Sequence, residues 1–168
     1  MTTRTVKLGG TDWTAEILTY ADLNDTIDAL TIKERYTDQL TTTGTSTSTS
    51  FETKWTVDVS GETTLYAYNI FYFVVLRIAA VGSTRNCQGQ LLITFDDDST
   101  DTVALLTVET SIGTTAYKST INSYNAAKRI KQIEVQIKTS DAGSTAAVVE
   151  SDTVGSRGEI PGSYMTLG

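Results

Sequence analysis

The segment that most restricts the fold runs from Leu65 to Val81, because it is apolar at both even and odd positions. Its longest unbroken apolar run, residues 70–76, is far shorter than the roughly 20 residues that span a bilayer, so no membrane segment is expected. Its density of Tyr, Phe, Val and Ile favours a strand over a buried helix. Tyr72 and Val74 lie on one side of this strand, and Phe71, Phe73 and Val75 lie on the other. We expect cover on both sides: one should meet the opposing sheet, and the other should meet another element or a neighbouring subunit.

Shorter strand-like segments separated by turn residues follow this one. The clearest alternation places Ile133, Val135 and Ile137 between polar neighbours, which is typical of a half-buried strand. The spacing of turn signals over residues 51–168 predicts a mainly β domain, an antiparallel β-sandwich with jelly-roll-like topology.

Residues 1–40 are predicted to form an N-terminal anchor, an extended arm followed by one α-helix from near Asp22 to Leu40. Leu23, Ile27 and Leu30 are spaced four and three residues apart, which places them on one helix face. Such a narrow apolar stripe is marginal on its own, so the helix should pack on the β-domain or associate with copies of itself. We favour self-association as a homotrimer. Trp13 is the further anchor residue, docked on its own domain or on a partner.

The Thr/Ser-rich tract at 41–50 buries little apolar surface and is predicted to be a linker or an extended, pinned arm. With a linker there, removal of residues 1–40 is expected to leave a folded β-domain.

The phrase from Asp12-Trp13 through Glu16-Ile17-Leu18 to the segment 21–27 resembles the N-terminal segment of many structural proteins of tailed viruses, of bacteria or archaea. In those proteins a "DW…GE.LTAADLNDTF" phrase precedes fibre-like, spike-like or minor virion parts. The Ala-Asp-Leu-Asn-Asp-Thr core is intact here. The chain departs from the usual phrase at Ala15, Tyr20 and Ile27.

This resemblance covers about one-tenth of the chain. It implies a virion structural protein: an oligomeric appendage or decoration, such as a fibre, spike or knob, assembled in the host cytoplasm and attached to head, neck or tail proteins through its N-terminal segment.

Composition argues against several function classes. The absence of histidine excludes Ser-His-Asp and Cys-His catalysis and His-based zinc sites, and no two carboxylates are marked as a catalytic pair, so no enzyme activity and no cofactor are expected. A formal net charge of −7 disfavours nucleic acid as a partner. Cys87, the single cysteine, is predicted to be a small buried hydrophobe rather than a nucleophile.

Two local features allow alternatives. The acidic residues at 96–101 could supply oxygen ligands to calcium, but a solvated hairpin turn with Asp side chains bonded to their own backbone is the better prediction. Trp55 and the Tyr-rich strand could stack on the sugars of a host surface glycan, which gives the alternative function of a receptor-binding module. Tyr and Trp in a core or a subunit interface are the more common case.

Overall fold

The computed structural model describes residues 36–62, 67–80, 85–111, 113–150 and 162–168, all within a unit that spans Glu34–Gly168. These ranges form ten β-strands and no helix. The strands are β1 Tyr36–Gln39, β2 Gly44–Ser46, β3 Glu52–Asp58, β4 Asn69–Ala79, β5 Arg85–Phe95, β6 Thr100–Thr110, β7 Thr115–Asn125, β8 Ile130–Thr139, β9 Thr145–Val148 and β10 Tyr164–Leu167.

The strands form two antiparallel sheets. In the first, β4 pairs along its whole length with β7, and on its other side with β10 at Ile70–Phe73 and with β9 at Leu76–Ala79. β1 extends this sheet beyond β10, and β2 extends it beyond β9. The second sheet has the order β3-β8-β5-β6. The predicted antiparallel β-sandwich is confirmed, and the strand order is consistent with the two Greek keys of a jelly roll.

The core lies between the two sheets and follows the alternation of their central strands. Ile133, Val135 and Ile137 are fully buried, as their period-two spacing predicts. From the facing sheet, Tyr72 and Leu76 project into the same core, since even positions of β4 point inward. Each sheet therefore presents one apolar inner face to the other, which is the arrangement that lets a sandwich bury its hydrophobic residues.

Side chains close both open sides of the sandwich. At one side the Trp55 indole N–H on β3 donates to the Asp38 carboxylate on β1 at 3.0 Å. At the other, the Tyr124 hydroxyl on β7 donates to the Asp101 carboxylate on β6 at 2.6 Å. Lys118 Nζ on β7 also donates to the carbonyl of Thr107 on β6, at 3.3 Å.

The predicted helix is wrong over residues 36–40. Tyr36–Gln39 forms strand β1, which pairs with β10, and Leu40 is buried in the core. The four-residue spacing of Tyr36 and Leu40 suits a helix, but residues 36, 38 and 40 also share one face of a strand, and sheet pairing decides between the two. The rest of the predicted arm and helix, with Trp13, Leu23, Ile27 and Leu30, lies outside the described residues.

The Thr/Ser-rich tract is not a free linker between two parts of the chain. Gly44–Ser46 forms β2 and pairs with β9, and the buried Ser46 hydroxyl donates to Glu52 at 2.6 Å. The pinned-arm alternative holds at these residues, because strand pairing uses backbone groups and Thr suits a strand even where little apolar surface is available. Within the described residues, the sandwich therefore includes β1 and β2 and does not start at residue 51.

Candidate functional site

The outer face of the first sheet carries a cluster of large apolar side chains that no described element covers. Partners in adjacent antiparallel strands project from the same face, so the odd positions of β4 and β7 point outward together with Tyr164 of β10. We call this surface the aromatic face; it consists of Phe71, Phe73, Tyr117, Ile121 and Tyr164. Phe71 is 40% exposed, Tyr117 44% and Ile121 63%.

The rings of the aromatic face are held by neighbouring strands. Tyr164 lies directly opposite Phe73 in the β10–β4 register, and their ring centroids are 5.5 Å apart in a stacked arrangement. Tyr164 also contacts Phe71, at 6.3 Å between centroids. On the other flank Ile121 of β7 is the register partner of Phe73. The surface is thus fixed by a sheet rather than carried on a loop.

The aromatic face also lacks acidic side chains. Among the described residues, the outward positions of this sheet include Arg77 but neither Asp nor Glu. In a chain with a net charge of −7, this face therefore has no described carboxylate that would repel another acidic surface.

At one end of the aromatic face, Phe71 borders an open groove of about 450 Å³. The side chains of Asn69, Ser123, Asn125 and Thr166 lie at its polar positions. The groove is also lined by Ile70, Leu167 and Gly168. Asn69 and Asn125 are register partners on β4 and β7, so their amides stand side by side at the ends of two paired strands.

The outer face of the second sheet has the opposite chemistry. Its centre is a hydrogen-bonded row that crosses β5, β8 and β3: Gln90 Nε2 donates to Gln136 Oε1 at 2.8 Å, and Gln136 Nε2 donates to Thr53 Oγ1 at 3.2 Å. Thr53 Oγ1 in turn donates to Glu134 at 2.7 Å. We call this surface the amide face. Its polar groups bond to one another, and it carries none of the large apolar side chains that are exposed in the described part of the chain.

Asp96, Asp97 and Asp98 lie in the predicted hairpin turn between β5 and β6, and Asp101 lies at the start of β6. The carboxylates of this turn are paired with cations that precede or begin β8: Asp97 with Lys128 at 2.6 Å, and Asp98 with Lys131 at 2.6 Å. Asp97 also accepts the backbone N–H of Ser99 at 3.1 Å. Within the described part of the chain, no group of three or more His, Cys, Asp or Glu side chains could hold a metal ion.

Two residues with candidate chemistry belong to the core. Trp55 is 7% exposed and its only polar group bonds to Asp38, so it cannot serve as an exposed platform for a sugar ring. Cys87 is fully buried, and burial raises the pKa of its thiol to about 12, which confirms it as a small core residue. Tyr72, from the Tyr-rich strand, is also buried.

Residues far from β4 in the sequence complete the surface. The sequence predicts that Phe71 and Phe73 share one side of a strand that is covered on both sides, but it does not predict that this side faces outward or that Tyr117, Ile121 and Tyr164 join it. Tyr117 and Ile121 are separated by an even number of positions in a segment otherwise rich in polar residues. Because side chains alternate between the faces of a strand, this even spacing is the one sequence signal that places them on the same face. The groove depends on strand register and has no such signal.

No protein-family model matches the sequence, and no curated protein sequence matches it. Among solved structures, a chain of infectious bursal disease virus, Gx strain, is similar with a TM-score of 0.48 and 14% identity over 80% of this chain and 37% of that chain. The VP2 subviral particle of the same virus is similar with a TM-score of 0.40 and 12% identity, over 80% of this chain and 39% of that chain. The CBM22-1–GH10 modules of Clostridium thermocellum xylanase 10B are similar with a TM-score of 0.42 and 10% identity, over 67% of this chain and 19% of that chain.

The chain spans well under half the length of these structures. Their TM-scores below 0.5 carry no inference about function. No helix in the described ranges is long and apolar enough to cross a membrane.

Proposed function

We propose that this protein is a structural component of a tailed-virus particle, an oligomeric appendage or decoration anchored by its N-terminal segment, and that it acts by assembly rather than by catalysis. The observation that carries the assembly role is the aromatic face, where Ile121, Tyr117 and Phe71 are exposed on a rigid sheet. Contiguous exposed apolar patches mark interaction surfaces, and aromatic residues are enriched at the centres of such interfaces.

The virus context rests on the N-terminal phrase, whose Ala-Asp-Leu-Asn-Asp-Thr core at 21–26 resembles that of tailed-virus structural proteins. Jelly-roll-like sandwiches serve in viral capsids and in lectins alike, so the strand order is compatible with this role without selecting it. Anchoring to the particle is assigned to the segment that contains Trp13, Leu23, Ile27 and Leu30.

The occupant proposed for the aromatic face is a second copy of the chain, in a homotrimer. A face without Asp or Glu allows contact between chains that each carry a net charge of −7. The sandwich would then present its hydrogen-bonded amide face away from the contact. Contact through large apolar groups should strengthen in sulfate, whereas a contact based on exposed ion pairs would weaken with salt.

Light scattering on the full chain at tens of micromolar tests the assembly role. We expect the mass of a trimer for the wild-type protein. Ile121→Ser should shift the mass toward that of a monomer, because it replaces the most exposed apolar side chain of the aromatic face with a hydroxyl. Leu92→Ser is the matched control, since Leu92 points outward from the other sheet, opposite Glu134 in the register, and should leave the mass unchanged.

A monomeric wild-type protein would contradict the assembly role. A trimer that survives Ile121→Ser but is lost in a chain that begins at Glu34 would move the contact from the aromatic face to the N-terminal segment.

A further inference from the structure

We propose that the groove beside Phe71 binds a neutral glycan, by stacking one sugar ring on Phe71 and bonding its hydroxyls to the amides of Asn69 and Asn125. This site goes beyond the assembly role. It uses Phe71 of the Tyr-rich strand, whereas Trp55 and Tyr72 are in the core. A groove of about 450 Å³ lies within the range of small-molecule sites, which are typically apolar with a few converging polar groups.

The shape and chemistry of the lining fit a pyranose ring. One wall is the Phe71 ring, 40% exposed, whose electron-rich face favours the weakly positive C–H groups on one side of a sugar. Around it are two amides and two hydroxyls, groups that both donate and accept hydrogen bonds as sugar hydroxyls do. Thr166 and Ser123 flank Phe71 directly, because they are its register partners on β10 and β7.

The two amides have bonding capacity to spare. In the described part of the chain, the Asn125 side chain makes no hydrogen bond to protein. Asn69 uses one N–H to donate to the Gly168 carbonyl at 3.2 Å, which leaves a second N–H and the amide oxygen for a ligand. That single bond also fixes the orientation of the amide, so less side-chain entropy is lost on binding.

The lining excludes other ligand classes. None of its side chains is charged, and the chain is acidic overall, so a sulfated, phosphorylated or sialylated ligand would gain no ion pair. A purely apolar ligand would remove the amides and hydroxyls from water without giving them partners, which is costly. A neutral polyhydroxylated ligand satisfies both the ring and the polar groups.

The test is an NMR titration of the full chain, followed at the side-chain amide signals of Asn69 and Asn125. The probes are the methyl glycosides of glucose, mannose and galactose, with sialyllactose as the charged comparison. Each titration is run on the wild-type protein and on Ile121→Ser. Ile121 lies outside the lining, so this variant keeps the groove open even if copies cover it in the wild-type oligomer.

We expect saturable shifts at millimolar concentration with at least one neutral glycoside. Phe71→Ala should weaken that binding at least tenfold, and Asn125→Ala should weaken it while leaving the fold intact, because Asn125 is exposed and makes no side-chain bond within the described ranges. Asn125→Ala therefore serves as the readout if Phe71→Ala disturbs the sheet.

Absence of a saturable shift with every neutral glycoside in both proteins would overturn the glycan site, as would shifts unaffected by both lining variants. Preference for sialyllactose would overturn the neutral ligand class. Binding by a monomeric wild-type protein would support this site while contradicting the assembly role, so the two proposals fail separately.

Discussion

Gly44 lies in the tract predicted to be a linker, but it is packed tightly against a neighbouring strand. A Cβ atom at this position would lie 2.6 Å from Lys54 Cβ and 2.8 Å from the Lys54 backbone oxygen, because β2 passes directly over β3. We predict that Gly44→Ala destabilises the protein by about 1–3 kcal/mol, since backbone atoms cannot move aside cheaply. Thermal unfolding should show a melting temperature lower by roughly 2–4 °C for each kcal/mol.

Gly61→Ala is the matched control for this change. At Gly61 no atom lies within 4 Å of the position that a Cβ would occupy, and the residue does not have a positive φ. Its substitution should be neutral or slightly stabilising, because alanine restricts the unfolded chain. Equal effects of the two substitutions would show that Gly44 is not packed against β3.

Individual residues were predictable where their own chemistry dictated one environment. Cys87 is buried as expected of a lone thiol with no partner, and Trp55 is in the core as aromatic residues usually are. Ile121 could not be predicted as 63% exposed, because hydrophobicity alone favours burial and only the layering of the two sheets places its side chain on the outer face.

At the scale of elements, the strength of the local pattern decided what could be predicted. The alternation of β8 and the apolar density of β4 each identify a strand without tertiary information. β1 and β2 could not be recognised in this way, because they are held by pairing with β10 and β9, which lie about 100 residues or more further along the chain. Local propensity cannot report a partner at that distance, and tertiary pairing overrode the helical spacing near Tyr36.

Because β1 and β2 belong to the sheet, we expect that the chain can be shortened to Glu34 but not to Phe51 without loss of stability. A chain that begins at Glu34 keeps β1 and β2 and is predicted to retain the strand signature in circular dichroism and a cooperative melt. A chain that begins at Phe51 loses both strands, together with the Asp38 partner of Trp55 and the buried Leu40. It should melt at a clearly lower temperature or fail to fold, because β9 and β10 become unpaired edges.

Comparison of the two shortened chains by circular dichroism and thermal melting checks this boundary. Equal stability of the two would restore residues 41–50 as a linker. Unfolding of the chain that begins at Glu34 would instead make residues 1–33 part of what stabilises the sandwich.

At the scale of the whole molecule, the two outer faces of the sandwich differ in chemistry, which the sequence of β4 alone did not predict. Among the described residues, the inner side of β4 is covered by the second sheet, whereas Val75 is the one outward residue of β4 that is fully buried. The amide face is internally bonded, whereas no described element covers the aromatic face. A sequence can indicate that a strand is apolar on both sides, but which side remains open depends on how the sheets are layered.

The dependence of stability on pH should reveal the contribution of the Asp97–Lys128 and Asp101–Tyr124 interactions near the β5–β6 turn. Hydrogen bonds from Lys128 and then from Ser99 lower the pKa of Asp97 to about 2, and a hydrogen bond from the Tyr124 hydroxyl lowers the pKa of Asp101. The same bond raises the pKa of Tyr124 to about 12, with burial as the second cause. The folded state therefore favours the charged carboxylates and the neutral phenol.

The sign of the effect follows from linkage. Because the carboxyl pKa values are lower in the folded than in the unfolded chain, their stabilisation is present above about pH 4 and is lost as the pH falls toward 2. For Tyr124 the folded pKa is raised, so its contribution is present below about pH 10 and is lost as the pH rises toward 12.

We predict that Asp97→Asn flattens the acid limb of a plot of melting temperature against pH and leaves the alkaline limb in place. Glu109→Gln is the control of equal charge, since Glu109 is exposed and makes no ion pair among the described residues. An acid limb of unchanged slope in Asp97→Asn, or an NMR-measured pKa of Asp97 near that of a free aspartate, would show that the pairing with Lys128 does not persist in solution.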